Sequence, residues 1–96
     1  EIHQDFIYPG HTFTCLASIS PVLADITVTC TSPSKTFNLA GLQISNIWIP
    51  NGEMRAAFRE VVAQTGYDGP GLMGLAAAMA ASHTWPSCSS PSPRMA

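Results

Sequence analysis

Apolar and hydroxyl-bearing residues alternate along two stretches near the start of the chain, residues 12–19 and 25–31. Alternation with a period of two is typical of a β-strand with one buried face. If the chain reverses at residues 20–24, the two stretches form an antiparallel hairpin with its apolar side chains on one face. The opposed pairs are then Cys15 with Cys30, Ala17 with Val28, and Ile19 with Ile26. The pattern therefore predicts an N-terminal β-hairpin.

Two further stretches favour the β conformation. Residues 36–39 alternate over a short length that suits an edge strand, and residues 42–49 are rich in isoleucine and contain Trp48. Turn-forming residues bound them, with Pro33 before the first and Pro50 after the second. The expected sheet therefore has three or four antiparallel strands.

The apolar period changes after residue 52. Apolar residues recur at the i, i+3, i+4, i+7, i+8 spacing of an amphipathic helix, and they are Met54, Ala57, Phe58, Val61 and Val62. Asn51 suits the N-cap position of this helix, and Gly66 suits the first position beyond its C-terminal end. Charged residues occupy the opposite side, so we expect that side to face solvent.

Residues 71–82 predict a second helix, and this one has no polar face. Pro70 suits the start of such a helix. Three small residues, Gly74, Ala78 and Ser82, recur every four positions, and a stripe of this kind lets another backbone approach closely. The stripe indicates packing against the sheet or the first helix, or alternatively a contact between copies of the chain.

Together these elements predict a single α+β domain over residues 1–86, with a small antiparallel sheet followed by two helices packed on one face. A chain of 96 residues is long enough for one small hydrophobic core. Residues 87–96 are rich in serine and proline and are expected to form a flexible tail.

The three cysteines bear on the compartment. A Cys15–Cys30 disulfide would staple the predicted hairpin, while Cys30–Cys88 and Cys15–Cys88 are alternative pairings. Any single bridge leaves one cysteine over, and Cys88 is the candidate for a free thiol or a covalent dimer. The chain begins with Glu1 rather than methionine, which suits a mature product whose leader has been removed. These features predict a secreted or lumenal protein.

Charge and hydropathy exclude two classes of partner. Charged residues make up only 10% of the chain and the net charge is −2, so no basic surface for nucleic acid is expected. The longest apolar run, residues 71–81, is far shorter than the ~20 residues that a bilayer span requires. The partner expected for such a charge-poor surface is another protein.

No motif in the chain indicates catalysis. The histidines and cysteines do not occur at metal-ligand spacings, and the carboxylates form no local acid–base pair. His11 and Cys15 would share a strand face, but their neighbours have the character of a core rather than of a cleft. We therefore predict no metal, no cofactor and no catalytic residue.

These observations favour a small secreted protein, without enzymatic activity, that acts by binding another protein in the manner of an effector or toxin. The candidate interaction residues are Trp48, Trp85, Arg55 and Arg59, because exposed aromatic and arginine side chains are common at interfaces. One alternative is a small structural subunit of a larger assembly, and homo-oligomers are compatible with it. A second alternative is a small secreted hydrolase that uses His11 or Glu53.

Overall fold

The computed structural model describes residues 1–84, and the predictions for Trp85, Cys88 and the tail lie outside this range. Three α-helices and two β-strands occur in the described residues, together with two 3₁₀ turns at Leu16–Ser18 and Ala40–Leu42. In chain order the elements are α1 (Pro21–Asp25), β1 (Thr29–Thr31), β2 (Asn46–Trp48), α2 (Gly52–Gln64) and α3 (Leu72–Thr84).

The predicted α+β fold class, with a sheet of three or four strands that starts from an N-terminal hairpin, is wrong. The described sheet has two strands, and β1 pairs with β2 in antiparallel orientation. The register places Thr29 opposite Trp48, Cys30 opposite Ile47, and Thr31 opposite Asn46. The fold is therefore weakly mixed, with little sheet and three helices.

Local capping explains why the hairpin does not form. The Ser20 hydroxyl accepts a hydrogen bond from the Leu23 backbone N–H at 3.2 Å, and Pro21 occupies the first helical position. Both features favour a helix start, so residues 21–25 become α1 where a reverse turn was expected. Cys15 then lies at the start of a 3₁₀ turn rather than in a strand.

The expected edge strand at residues 36–39 is a series of turns. The Phe37 backbone N–H donates to the Pro33 carbonyl at 2.9 Å, and the Leu39 N–H donates to the Ser34 carbonyl at 2.9 Å. Asn38 takes a left-handed backbone conformation with φ of 55°, which asparagine tolerates better than most residues. These local bonds compete with strand pairing, and the segment curls instead.

Helix α2 agrees with its sequence pattern. The Asn51 side chain accepts a hydrogen bond from the Met54 N–H at 2.9 Å, which confirms Asn51 as the N-cap. Gly66 follows the C-terminal end in the left-handed conformation, with φ of 70°. The apolar face of α2, however, is mostly not packed against other described residues. Phe58 and Val61 are exposed, and Met54 and Val62 are only half-buried.

The second predicted helix is confirmed as α3, and it packs on the Ala40–Leu42 turn. A Cβ atom built on Gly74 would lie 2.8 Å from the Leu42 carbonyl oxygen, so only glycine fits this approach. Gly74 and Ala81 are buried, with Ala77 and Ala78 half-buried beside them. Gly74 and Ala78 of the predicted stripe therefore face inward, in agreement with the packing interpretation, whereas Ser82 at the end of the stripe is exposed.

The buried core of the described residues is small. Among their hydrophobic side chains only Ile44, Ile49 and Ala81 are buried, each about 7% exposed. Large apolar side chains remain exposed on every helix and on both sides of the sheet segment. No helix within residues 1–84 is both long and apolar enough to cross a membrane.

Candidate functional site

A large open groove runs between the N-terminal segment, the strands and α3. Its volume is about 930 Å³. The apolar part of its lining includes Phe13, Phe37, Trp48 and Ala81, and the polar part includes Glu1, Asp5, Thr31 and Asn46. A cavity of this size, mostly apolar with a few polar groups, has the dimensions and character of a small-molecule site.

Three hydrogen bonds position the N-terminal segment along the groove. The Glu1 amino group donates to the Cys30 carbonyl at 2.8 Å, and the Glu1 side chain accepts from the Leu16 N–H at 3.1 Å. The Asp5 carboxylate accepts from the Thr36 hydroxyl at 2.5 Å. Because residues 1–15 include no helix or strand, these side-chain contacts hold the segment against the rest of the chain.

The turn after β1 presents a lysine beside the groove. The Ser32 hydroxyl donates to the Ile44 carbonyl at 2.6 Å and accepts from the Ser34 N–H at 3.1 Å. With the Pro33–Phe37 backbone bond and the Thr36–Asp5 bond, these contacts fix the turn on both sides of Lys35. Ser32 and Pro33 line the groove, and the Lys35 side chain is exposed.

Thr29 carries a buried hydroxyl at the floor of the groove. The residue is about 8% exposed, and its Oγ1 atom has no hydrogen-bond partner among the described residues. Leaving a buried hydroxyl unpaired costs about 1–3 kcal/mol. This unpaired hydroxyl lies in β1, where Thr29 is paired with the exposed Trp48 of β2.

The structure does not bring Cys15 and Cys30 together as the hairpin register required. Both have free thiols, Cys15 half-buried in the groove lining and Cys30 exposed. Thr29 and Thr31 on either side of Cys30 line the groove, so Cys30 points to the opposite face of β1. The disulfide predicted between them is not formed in this structure, and the geometry on which it rested is wrong.

The described candidate interaction residues lie on two elements, Trp48 on β2 and Arg55 and Arg59 on α2. Trp48 is about 64% exposed and lines the groove, which leaves its predicted role as a binding residue open. Arg55 donates from Nη1 to the carbonyls of Ile49 at 2.8 Å and Pro50 at 3.1 Å, so it fastens the start of α2 to the end of the strand segment. Arg59 is exposed on α2.

The residues proposed for the hydrolase alternative are also separate. Glu53 lies in the first turn of α2, and His11 is exposed in the N-terminal segment. Within residues 1–84, no group of three or more histidine, cysteine or carboxylate side chains is placed to hold a metal ion.

The sequence predicts a turn at residues 32–35, but sequence reasoning did not single out Lys35 as a functional residue. The available signal was compositional, since Lys35 is the one lysine of a charge-poor chain and lies in a run of hydroxyl residues, Ser32, Ser34 and Thr36. Such a run forms local hydrogen bonds with the backbone and so favours a fixed turn.

Comparison with known proteins gives one informative similarity. No family model matches the chain. Cystathionine beta-lyase PatB of Bacillus subtilis (strain 168) is 51% identical to it over 69 residues, which are 72% of this chain and 18% of that protein. The chain therefore spans less than a fifth of the length of the curated relative that it matches.

The length of the match determines part of its position in this chain. Any stretch of 69 residues within a chain of 96 includes residues 28–69. The similarity therefore covers β1, the Lys35 turn, β2 and α2, whichever end of the chain it leaves out.

Proposed function

We propose that this chain forms part of a carbon–sulfur lyase of the kind that the cystathionine beta-lyase represents, and that it supplies one wall of the active site. The observation that carries the proposal is the 51% identity over 69 residues. A β-lyase breaks the bond between the β-carbon of an amino acid and its sulfur by elimination. The substrate class is therefore a thioether amino acid such as cystathionine.

The distribution of apolar surface supports a role within a larger protein. Large exposed hydrophobic residues occur in the N-terminal segment, in α1, in the strands and in both long helices, with examples at Phe6, Val22, Ile47, Val61 and Leu72. An interface with a single partner covers one patch, whereas these residues lie on every element. Surrounding polypeptide would cover them and complete the core.

Lys35 is the residue that we assign to the chemistry. Elimination begins with removal of the proton from the carbon next to the one that carries sulfur, and a side chain must accept that proton. Lysine amines serve as general bases in enzymes, whereas arginine stays protonated. Lys35 lies inside the matched stretch, on a turn fixed by four hydrogen bonds and beside a groove that fits a small molecule.

A chimeric enzyme tests the proposal. This 96-residue chain would replace the segment of equal length in the Bacillus subtilis PatB that contains the matched stretch. Release of free thiol from cystathionine would be followed with a chromogenic disulfide reagent. We expect the chimera to fold and to release thiol. The control is a chimera that carries a scrambled stretch of the same composition. A chimera that folds, as judged by circular dichroism and light scattering, but releases no thiol would contradict the proposal.

A secreted protein that acts by binding another protein stays a second hypothesis for this chain. The Cys15–Cys30 disulfide, which was one argument for an oxidising compartment, is not formed in this structure, while the alternative pairings with Cys88 lie outside the described residues. The alternative of a subunit in a larger assembly draws on the same exposed apolar surface as the lyase proposal. The two differ in what covers that surface, which is one folded polypeptide in the lyase and separate chains in the assembly.

A further inference from the structure

Every buried or half-buried residue among the first ten residues of helix α3 is small, whereas its larger apolar residues are exposed, as are Ala76 and Ala80. The small residues Gly74, Ala77, Ala78 and Ala81 form an inner face against the rest of the described chain. On the opposite side, Leu72, Leu75 and Met79 form what we term the outer α3 face. They lie at the i, i+3, i+7 spacing of a single helical stripe.

The outer α3 face is exposed in this structure. Leu72 is about 80% exposed, Leu75 about 46% and Met79 about 56%. Residues 72–81 contain no polar or charged side chain, so the exposed stripe is not bordered by polar residues along the helix. A helix that is apolar on all sides is normally buried on all sides, because exposing its larger residues to water forfeits most of the available hydrophobic stabilisation.

The inner face cannot be the main source of that stabilisation. Glycine and alanine have little apolar area to bury, and their function here is close approach to the Leu42 backbone. The larger side chains, which would contribute most, point the other way. The helix is thus built to lie between this chain and a second apolar surface.

We infer that the outer α3 face packs inside the complete lyase, against polypeptide that lies outside this 96-residue chain. The inference rests on the proposed function. It commits to the remainder of the same protein because the matched relative is more than five times longer than the matched stretch. A second copy is the less suitable occupant, since one symmetric contact on α3 would leave the apolar faces of α1 and α2 uncovered.

Thiol labelling in the chimera tests the inference. The Leu75→Cys and Leu72→Cys variants place a thiol on the outer α3 face, and Glu60→Cys places a matched thiol on the charged side of α2, where the residue is exposed. The labelling rate of each site would be measured by peptide mass spectrometry with a maleimide. We expect both α3 thiols to react at least about tenfold more slowly than the Glu60→Cys thiol, because protection follows burial.

Each outcome has one meaning. Labelling of both α3 thiols as fast as the Glu60→Cys thiol, in a chimera that releases thiol from cystathionine, overturns the inference and leaves the proposed function intact. Protection that disappears when dilution converts the chimera into monomers assigns the face to a second copy and also overturns it. A wild-type chimera that does not fold overturns the proposed function, and the inference falls with it.

Discussion

Gly74 shows how a single residue sets the distance between α3 and the loop before β2. The Cβ of any other residue would lie 2.8 Å from the Leu42 carbonyl oxygen, closer than real Cβ contacts come. The atom in the way belongs to the backbone and cannot rotate aside, so the helix itself would have to move. The contact is local, but it positions Ala77, Ala78 and Ala81 along the same face.

The Gly74→Ala variant of the chimera should therefore be less stable than its parent, by about 1–3 kcal/mol, the usual cost of forcing extra volume into a packed site. Urea unfolding followed by circular dichroism measures the difference. Gly71→Ala is the matched control, because nothing lies within 4 Å of a Cβ at that position. Equal unfolding midpoints for the two variants would show that α3 does not pack as described.

The Lys35 side chain is exposed, so its truncation should have little effect on stability. In the chimera we expect Lys35→Ala to reduce thiol release by at least about 100-fold, the scale of a lost general base, while the urea midpoint stays unchanged. Arg59→Ala removes another exposed positive charge from the chain and should leave the rate within about twofold, as surface substitutions away from a site usually do. Retention of full activity in Lys35→Ala would exclude the assigned role.

At the scale of the elements, those that could be predicted are the ones that residues close together in sequence determine. The pattern of α2 includes a helical period, an N-cap at Asn51 and a glycine just beyond its end, and all three features agree with the structure. The sheet could not be predicted in the same way. Strand β1 pairs with the next strand of the chain, but residues 32–45, with the fixed Lys35 turn and a 3₁₀ turn, lie between the two, so no tight hairpin turn marks the pairing.

The expected hairpin failed for a related reason. The alternation in residues 12–19 is genuine, yet Ser20 and Pro21 start a helix directly after it. The candidate site could not be predicted from local signals either, because the groove is lined by residues up to 81 positions apart, from Glu1 to Ser82. Contacts between residues so far apart cannot be inferred from the spacing of residues along the chain.

The cap of α2 supports an element-scale prediction. Asn51 accepts from the Met54 N–H and donates from its amide nitrogen to Asp25 at 3.0 Å, which links α1 to α2. Asn51→Ala should lower the stability of the chimera by about 1 kcal/mol. Asn51→Ser should recover much of the loss, because serine caps as well as asparagine does. A serine variant no more stable than the alanine variant would assign the effect to the Asp25 contact instead.

At the scale of the whole molecule, the described residues form elements without a sufficient interior. Only three hydrophobic side chains are buried, and none of the described large side chains is completely enclosed. A domain of this size ordinarily derives its few kcal/mol of stability from such burial. Within residues 1–84 this contribution is small, whereas the helix caps and turns are well formed.

The isolated 96-residue chain should therefore expose apolar surface in solution. We expect it to bind the dye ANS strongly and to form oligomers whose mass rises with protein concentration, in contrast to the chimera, in which the same surface is covered. ANS fluorescence and light scattering over a concentration series give the comparison. A monodisperse isolated chain without ANS binding would argue for a self-sufficient domain and for the interaction-protein hypothesis.

The attachments of the N-terminal segment also have a temporal consequence. Glu1 reaches Cys30 and Leu16, and Asp5 reaches Thr36, so residues 1–5 dock on positions 15 to 31 residues later in the chain. Residues 1–5 precede all three of these partners in the chain, and the last partner, Thr36, lies directly after Lys35. During synthesis, the docking of residues 1–5 can therefore be completed only after residue 36 has been added, by which time the local helix α1 can already form.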